Sequence, residues 1–282
     1  MNSSADPPSE ALKQSLAAAL EAYRETCFEI NFPALKEAVA SVNESVDEQI
    51  AAGSLEEEEG YERFEELREI YLSSEFTLDA YPDELEEAIP AFNDLLDPDV
   101  ARGFLHNVAP PQSERALEHL PIGFEELQRR VNEQAVPGED ATLPAEYRAF
   151  ATLAESVVPP GLPDRLTSLD KIFHNAISAI EVPSMEGLGQ RFNFIDAGWK
   201  VYAGFITQSH TLKLSSCSGW VLCEMPEDDY DKDTSKKWRI VFSYLGDSFL
   251  FNFNSVEAFL RWYSGYGVRE LGEWDDDTES YA

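Results

Sequence analysis

The feature that most constrains the fold of this chain is a change in residue pattern after Pro183. From that point the sequence consists of short aromatic and β-branched segments that alternate or run apolar between turn residues, a pattern typical of strands. Five segments are expected to form strands: RFNFIDAGW, WKVYAGFI, GWVLCEM, KKWRIVFSYL and DSFLFNF. Together they predict an antiparallel sheet.

A helix is expected directly after these strands, over residues 255–263, because Asn254 and Glu257 resemble a capping box at its start. Its apolar residues, predicted to pack on the sheet, are Val256, Phe259, Leu260 and Tyr263. The core beneath this helix is expected to contain side chains from two neighbouring strands: Trp238, Ile240 and Phe242, and Phe249, Phe251 and Phe253.

The first 110 residues follow a helical period instead. Apolar residues recur there at steps of three and four in two sets, which predict two amphipathic helices. The sets are Leu12, Leu16, Leu20, Tyr23 and Cys27, and Leu35, Val39, Val42 and Val46. A third helix is expected from Ser54, whose hydroxyl can accept a hydrogen bond from the Glu57 amide, and another from Pro82. Such stripes are typical of ordinary core packing, and a groove for a partner is the alternative.

Proline and glycine residues interrupt the periodicity between residues 97 and 112, which predicts a boundary there. We therefore expect an acidic helical region at 1–110, an α+β domain at 113–268 and an acidic tail at 269–282. Two further helices are expected in the second region, one starting at Pro144 and one over 168–180. The predicted fold class is α+β: a helical N-terminal region followed by a domain with a central antiparallel sheet flanked by helices.

The charge of the chain restricts its partners. There are 54 Asp and Glu against 21 Lys and Arg, a net charge of −33, and 26 of the acids lie in the first 110 residues. A surface this negative repels phosphate groups, so nucleic acid and anionic membrane surfaces are poor partners. Charge favours a basic protein as the partner. The alternative is that the acidity serves only to keep the protein soluble.

The sequence also indicates a compartment. Cys27, Cys217 and Cys223 are too few for a disulfide framework, which favours a reducing environment. The opening MNSSADPPSE lacks the basic and apolar regions of a leader, and no stretch approaches the ~18 apolar residues of a membrane span. We expect a cytoplasmic protein, with the nucleus as the second compartment that fits.

Patterns that would carry catalysis are missing from the sequence. It has no G-x-S-x-G elbow, H-E-x-x-H helix, paired C-x-x-C or P-loop. One acidic cluster, Asp229, Asp231 and Asp233, matches the first three ligand positions of a calcium loop. Thr234 and Ile240 occupy the positions where such a loop needs glycine and glutamate, so calcium binding is not predicted. We expect no catalytic residues, no metal and no cofactor.

Three stretches of the second region carry a family resemblance. They are IGFEELQRRV followed by LPAEYRAF, then KKWRIVFSYLGDSFLFNF with its Trp strand and Gly-Asp turn, and finally SVEAFLRWY. The matching residues are Leu143, Pro144, Tyr147, Phe150, Trp238, Gly246 and Asp247. In this order the stretches resemble the SUKH superfamily, which includes bacterial toxin-immunity proteins and fungal regulators of cell-wall synthesis and signalling. The resemblance implies an α+β domain with a central antiparallel sheet, no enzyme activity and a role in binding another protein.

These observations predict a non-enzymatic, regulatory or immunity-like interaction module that binds a protein partner through an acidic surface. The candidate partner-binding residues are Glu56, Glu57, Glu58, Glu59, Asp83, Glu84, Asp228, Asp229, Asp231 and Asp233. They are expected on helix ends or loops, where carboxylates stay solvated. The alternative is a hydrolase with carboxylates in a cleft between the two regions.

Overall fold

A computed structural model describes residues 7–53, 96–105, 107–109, 114–160, 173–175, 177, 180–192, 194, 198–208, 217–226, 234–244 and 249–265. The helices in these ranges are α1 (Glu10–Ala51), α2 (Pro98–Phe104), α3 (Glu114–Gln134), α4 (Ala145–Ala151), α5 (Met185–Phe192) and α6 (Val256–Tyr263). The strands are β1 (Val108–Ala109), β2 (Ser156–Val157), β3 (Phe173–His174), β4 (Lys200–Gln208), β5 (Cys217–Glu224), β6 (Lys237–Tyr244) and β7 (Phe249–Phe253). The fold class is α+β, as predicted.

Four of the five predicted strands form one antiparallel sheet in the order β4-β5-β6-β7. The fifth prediction, RFNFIDAGW, is wrong, because Phe192 ends helix α5 and Phe194 follows in a turn. Leu188 and Phe192 are both buried on α5, and their spacing of four residues follows the helical period rather than the strand period.

A second, smaller sheet has the order β1-β2-β3 with antiparallel pairs. The helix predicted over 168–180 is wrong at Phe173 and His174, which pair with Val157 and Ser156. The phenyl ring of Phe173 is fully buried and lies 4.5 Å from the ring of Phe259 between centroids. Pairing and burial with residues far away in the sequence therefore outweigh the local helical pattern.

Helix α1 is one continuous element of 42 residues, so the prediction of two separate helices is wrong. Pro33 lies inside α1, and its ring is exposed to solvent while Phe32 and Leu35 beside it are buried. Burial on both sides of the proline keeps the helix continuous, although the proline removes one backbone hydrogen bond.

The N-terminal part of α1 belongs to the same core as α4, α6 and the larger sheet. The α1 side chains in that core are Leu16, Leu20, Tyr23 and Cys27. Strand β1, close to the predicted boundary, pairs with β2 of the second region. The division of the chain into regions 1–110, 113–268 and 269–282 stays a prediction.

The face of the larger sheet that meets α6 is aromatic. The indole of Trp262, only 1 % exposed, lies between the rings of Phe242, Phe251 and Phe253 at centroid distances of 5.1, 4.9 and 5.0 Å. Register explains this cluster, because Phe242 and Phe251 are paired across β6 and β7. The predicted packing under α6 is confirmed for these strand residues, whereas the core position of Trp262 was not predicted.

Trp238 is only partly buried. Its ring lies 5.8 Å from that of Phe205, and its indole N–H donates a hydrogen bond to the carbonyl of Thr142 at 2.8 Å. Trp238 therefore ties β6 to the segment before α4. The side chain of Phe249, which was expected in the same core, lies outside the described residues.

The start of α6 is held by side chains from two elements. Ser255 is the N-cap, and its hydroxyl accepts from the Ala258 amide at 3.1 Å, so the predicted cap at Asn254 is wrong. The Asn254 amide oxygen instead accepts from the buried guanidinium of Arg239. The carboxylate of Glu146 on α4 accepts from the Val256 amide at 2.7 Å. The contacts of Ser255 and Glu146 satisfy two of the N–H groups that a helix start leaves unpaired.

Candidate interaction surface

The ten predicted partner-binding residues lie outside the described residues, at positions 54–95 and 227–233. The same holds for the two helices expected from Ser54 and Pro82 and for the calcium-like cluster at Asp229. All of these stay predictions. Within the described residues, a candidate surface is formed by helices α1 and α6, which lie side by side.

A groove of about 450 Å³ lies between α1 and α6. Its lining residues are Ser15, Ala18, Ala19, Ala22, Tyr23 and Thr26 on α1, and Glu257, Leu260, Arg261 and Ser264 on α6. Five of the six α1 side chains are small and recur at helical spacing, so they lie on one face and do not fill the space beside α6. The groove is therefore a consequence of side-chain size along one stripe of α1.

The floor of the groove is mostly apolar. Tyr23 is buried, stacks on Tyr263 at a centroid distance of 6.5 Å and donates its hydroxyl hydrogen to the carbonyl of Val158. Burial raises the pKa of the Tyr23 phenol well above its usual value, and the neighbouring thiol of Cys27 acts in the same direction. Tyr23 is therefore a neutral packing residue whose one donor is already used, and Leu260 completes the floor.

The two rims of the groove carry charged side chains. On α6, Arg261 and Glu257 form an exposed pair at 3.0 Å, one helical turn apart. On α1, the exposed residues Glu21, Glu25 and Glu29 recur every four residues. They do not line the groove, but helical spacing places this acidic row next to the small residues of α1 that do.

Basic residues on the described surface are largely matched by carboxylates of the same chain. Seven of them form ion pairs: Lys13, Arg24, Arg102, Arg129, Lys200, Lys236 and Arg261. Helix α1 alone has eight acidic and three basic residues. Its C-terminal end carries Glu44, Asp47 and Glu48 with no basic residue in the last turn, where the helix dipole disfavours negative charge. The excess acid is thus exposed and is kept at some cost in helix stability.

A second charged cluster lies at the end of the sheet where β4 begins and β5 ends. The Tyr202 hydroxyl donates to Glu224 at 2.6 Å, and the ammonium groups of Lys200 and Lys236 lie 4.8 and 4.7 Å from the Tyr202 ring centre. The hydrogen bond from Tyr202 and the charge of Lys200 lower the pKa of the Glu224 carboxyl. Lys200 also pairs with Glu224, and Lys236 with Glu139. The cluster is internally matched in charge and joins β4 and β5 to the residues after α3.

Several buried titratable groups lie outside the groove. Burial raises the pKa of the Glu146 carboxyl, but this group caps α6. The three cysteines are buried and unpaired with each other, and burial raises the pKa of Cys27 and Cys217 to about 12, so their thiols stay protonated near neutral pH. Within the described residues, no group of three His, Cys, Asp or Glu side chains could hold a metal ion.

No helix in the described part of the chain combines the length and the apolar composition needed to cross a membrane.

The residues that resemble the SUKH pattern have packing roles where they are described. Pro144 is the N-cap residue of α4, and Leu143, Tyr147 and Phe150 are buried. Gly246 and Asp247 lie outside the described residues. A groove for a partner was the alternative interpretation of the N-terminal stripes, but its place between α1 and α6 was not predicted. The signal that could have indicated it is the run of alanines beside the buried stripe of α1.

No family model matches the chain, and no curated protein or solved structure is significantly similar to it. The resemblance to the SUKH superfamily therefore stays a prediction from the sequence.

Proposed function

We propose that this protein is a non-enzymatic interaction module, regulatory or immunity-like, that binds a basic protein partner through its acidic surface. The observation that supports this proposal is the distribution of charge. Arginine and lysine side chains such as Arg129 and Arg102 are held by carboxylates of the same chain, and many other carboxylates of the described residues are exposed, among them Glu29, Glu44 and Asp47. Such a surface attracts positive partners and repels nucleic acid and anionic lipid.

The physical basis is long-range steering of association. A net charge of −33 acts beyond individual contacts, and physiological salt screens exposed charges over about 8 Å. Electrostatic steering raises the association rate more than it slows dissociation. The proposal includes a reducing compartment, the cytoplasm or the nucleus, consistent with three cysteines that form no disulfide.

The test starts with the partner recovered by affinity capture and mass spectrometry. Three variants are then made, one for each predicted patch: residues 56–59, residues 83–87 and residues 228–233. In each variant, every acid of the patch is replaced by its amide. Control variants replace the same glutamates by aspartate and the aspartates by glutamate, so that the charge is kept. We expect at least one neutralised variant to associate several-fold more slowly at low salt, and high salt to reduce the rate of the parent similarly. Association rates within twofold of the parent for all three variants at both salt concentrations would contradict the proposal.

A further inference from the structure

The shape of the groove between α1 and α6 fits a third helix. Two helices packed side by side present a furrow, and amphipathic helices of partners commonly bind in such grooves through anchors at helical spacing. The small side chains of Ala18 and Ala22 allow close approach, because helix axes pack 8–10 Å apart and the shorter distance requires small residues at the contact. The volume of about 450 Å³ is sufficient for several inserted side chains.

The order of residues on α1 defines what such a helix must carry. Ala18, Ala22 and Thr26 line the groove every four residues, and each is followed three residues later by one member of the acidic row. The row Glu21, Glu25 and Glu29 therefore runs parallel to the small residues. A helix bound along α1 would place apolar side chains on the small row and lysine or arginine against the carboxylates.

Basic residues of the chain already contact the acidic row, but they do not prevent a partner from binding there. Arg24 pairs with Glu21 at 3.4 Å, and Arg102 pairs with Glu25. All four side chains are between about one third and two thirds exposed, and exposed ion pairs of this kind contribute little to stability. A partner's cation can share the same carboxylates at little cost.

Charge argues against two other occupants of the groove. A second copy of the chain would bring another net charge of −33. The segment that follows α6, residues 266–282, contains six acids and one base. Both would place carboxylates near the acidic row, where like charges repel. A basic helix from a different protein is the occupant that charge complementarity favours.

We propose that the groove between α1 and α6 is the docking site for a basic amphipathic helix of a partner protein. This inference rests on the proposed function and adds a contact site to the predicted acidic patches: apolar anchors of the partner enter between Ala22 and Leu260, and basic residues meet Glu21, Glu25 and Glu29.

The test uses the full chain and a fluorescein-labelled Leu/Lys amphipathic peptide of about 18 residues, five helical turns. Ala22→Trp fills the groove from an exposed position of α1. Ala17→Trp is the matched control, because Ala17 is also exposed on α1 but does not line the groove. Both variants keep the net charge, so unspecific attraction between the basic peptide and the acidic protein is the same in each. We expect Ala22→Trp to weaken binding at least about tenfold, typical of a blocked anchor, and Ala17→Trp to bind within twofold of the parent.

Helix content from circular dichroism checks that each variant folds, and Ala18→Leu serves as a second, milder block of the same row. Equal affinity of the parent and all three variants overturns the docking site, and so does binding of a Leu/Glu peptide as tight as that of the Leu/Lys peptide. Absence of binding to the parent also overturns it. None of these outcomes decides the proposed function, which depends on the association rates of the three neutralised patches.

Discussion

Both faces of the four-stranded sheet are buried, but the strands carry different kinds of side chain on each face. Towards α6 the strands present large aromatic rings such as Phe242 and Phe253, which surround Trp262. Towards α5 they present smaller residues, including Val221, Val241 and Cys223. The first face holds four helices, α1, α3, α4 and α6, whereas the second is covered by α5 and the turn after it.

The two faces of the sheet therefore have different structural roles. The aromatic face fixes the positions of α1 and α6, and therefore the width of the groove between them. The opposite face closes the sheet and also encloses Arg239, whose guanidinium donates to the side chains of Asn252 and Asn254. Substitution of buried residues on either face should lower stability, but only substitutions on the aromatic face should change the shape of the groove.

The largest effect is expected for Trp262→Ala. Loss of the buried indole removes contacts with three rings and leaves a cavity, so the free energy of unfolding should fall by ~3–5 kcal/mol. Trp238→Ala is the matched comparison and should cost less, because Trp238 is only partly buried. Urea denaturation measures both values. A loss for Trp238→Ala equal to or above that for Trp262→Ala would contradict the assignment of the core.

Phe192→Ala tests the other face. The buried ring of Phe192 packs with Phe194 at 5.1 Å, and its removal should cost about 3 kcal/mol, the lower end of the range for buried aromatic residues. The two faces can be told apart by thiol labelling under native conditions. Trp262→Ala should speed the labelling of Cys27, whereas Phe192→Ala should speed that of Cys217 and Cys223. Equal acceleration at all three thiols in both variants would show that the faces unfold together.

The smallest effect concerns pH, and it should be the same on both faces. Burial raises the pKa of Cys27 and of Cys217 from 9.0 to about 12 in the folded chain. Above pH 9 the unfolded chain therefore releases protons that the folded chain keeps, so stability is complete below pH 9 and is lost as the pH rises towards 12. Each thiol should contribute a loss of about 1.4 kcal/mol by pH 10.

Cys27→Ala and Cys217→Ala isolate this contribution from the titration of other groups. The drop in unfolding free energy between pH 8 and pH 10 should be smaller by about 1.4 kcal/mol in either variant than in the parent. If the unfolding free energy falls equally in the parent and in both variants between pH 8 and pH 10, these thiols are not the cause of the loss of stability at alkaline pH.

Local patterns predicted most of the larger sheet. Strands β4 to β7 have the aromatic and β-branched residues that favour strands, and α6 has apolar residues at helical spacing. The core position of Trp262 was not predicted, because the apolar face assigned to this helix already contained Phe259 and Tyr263 on either side of it. The cap was placed one residue early because Asn254 and Ser255 are both good N-cap residues.

Features that depend on distant contacts were not predictable in this way. Strand β3 has two residues and exists because β2 lies beside it. Helix α1 was predicted as two helices because its apolar residues were grouped in two sets, one ending at Cys27 and one starting at Leu35. The buried rings of Phe28 and Phe32 lie between these sets and continue the helix. The groove needs α1 and α6 to meet, and nothing in either segment indicates that the other is its neighbour.

The stacking of Tyr23 on Tyr263 has a consequence for how the chain assembles during synthesis. Helix α1 leaves the ribosome long before the residues of α6 are translated, so its apolar stripe must wait for most of its covering surface. Until then Leu16 and Leu20 on the nascent helix are open to chaperones or to other unfinished chains. Docking of α1 is therefore expected to be a late event, and chains released before residue 256 should be prone to aggregation.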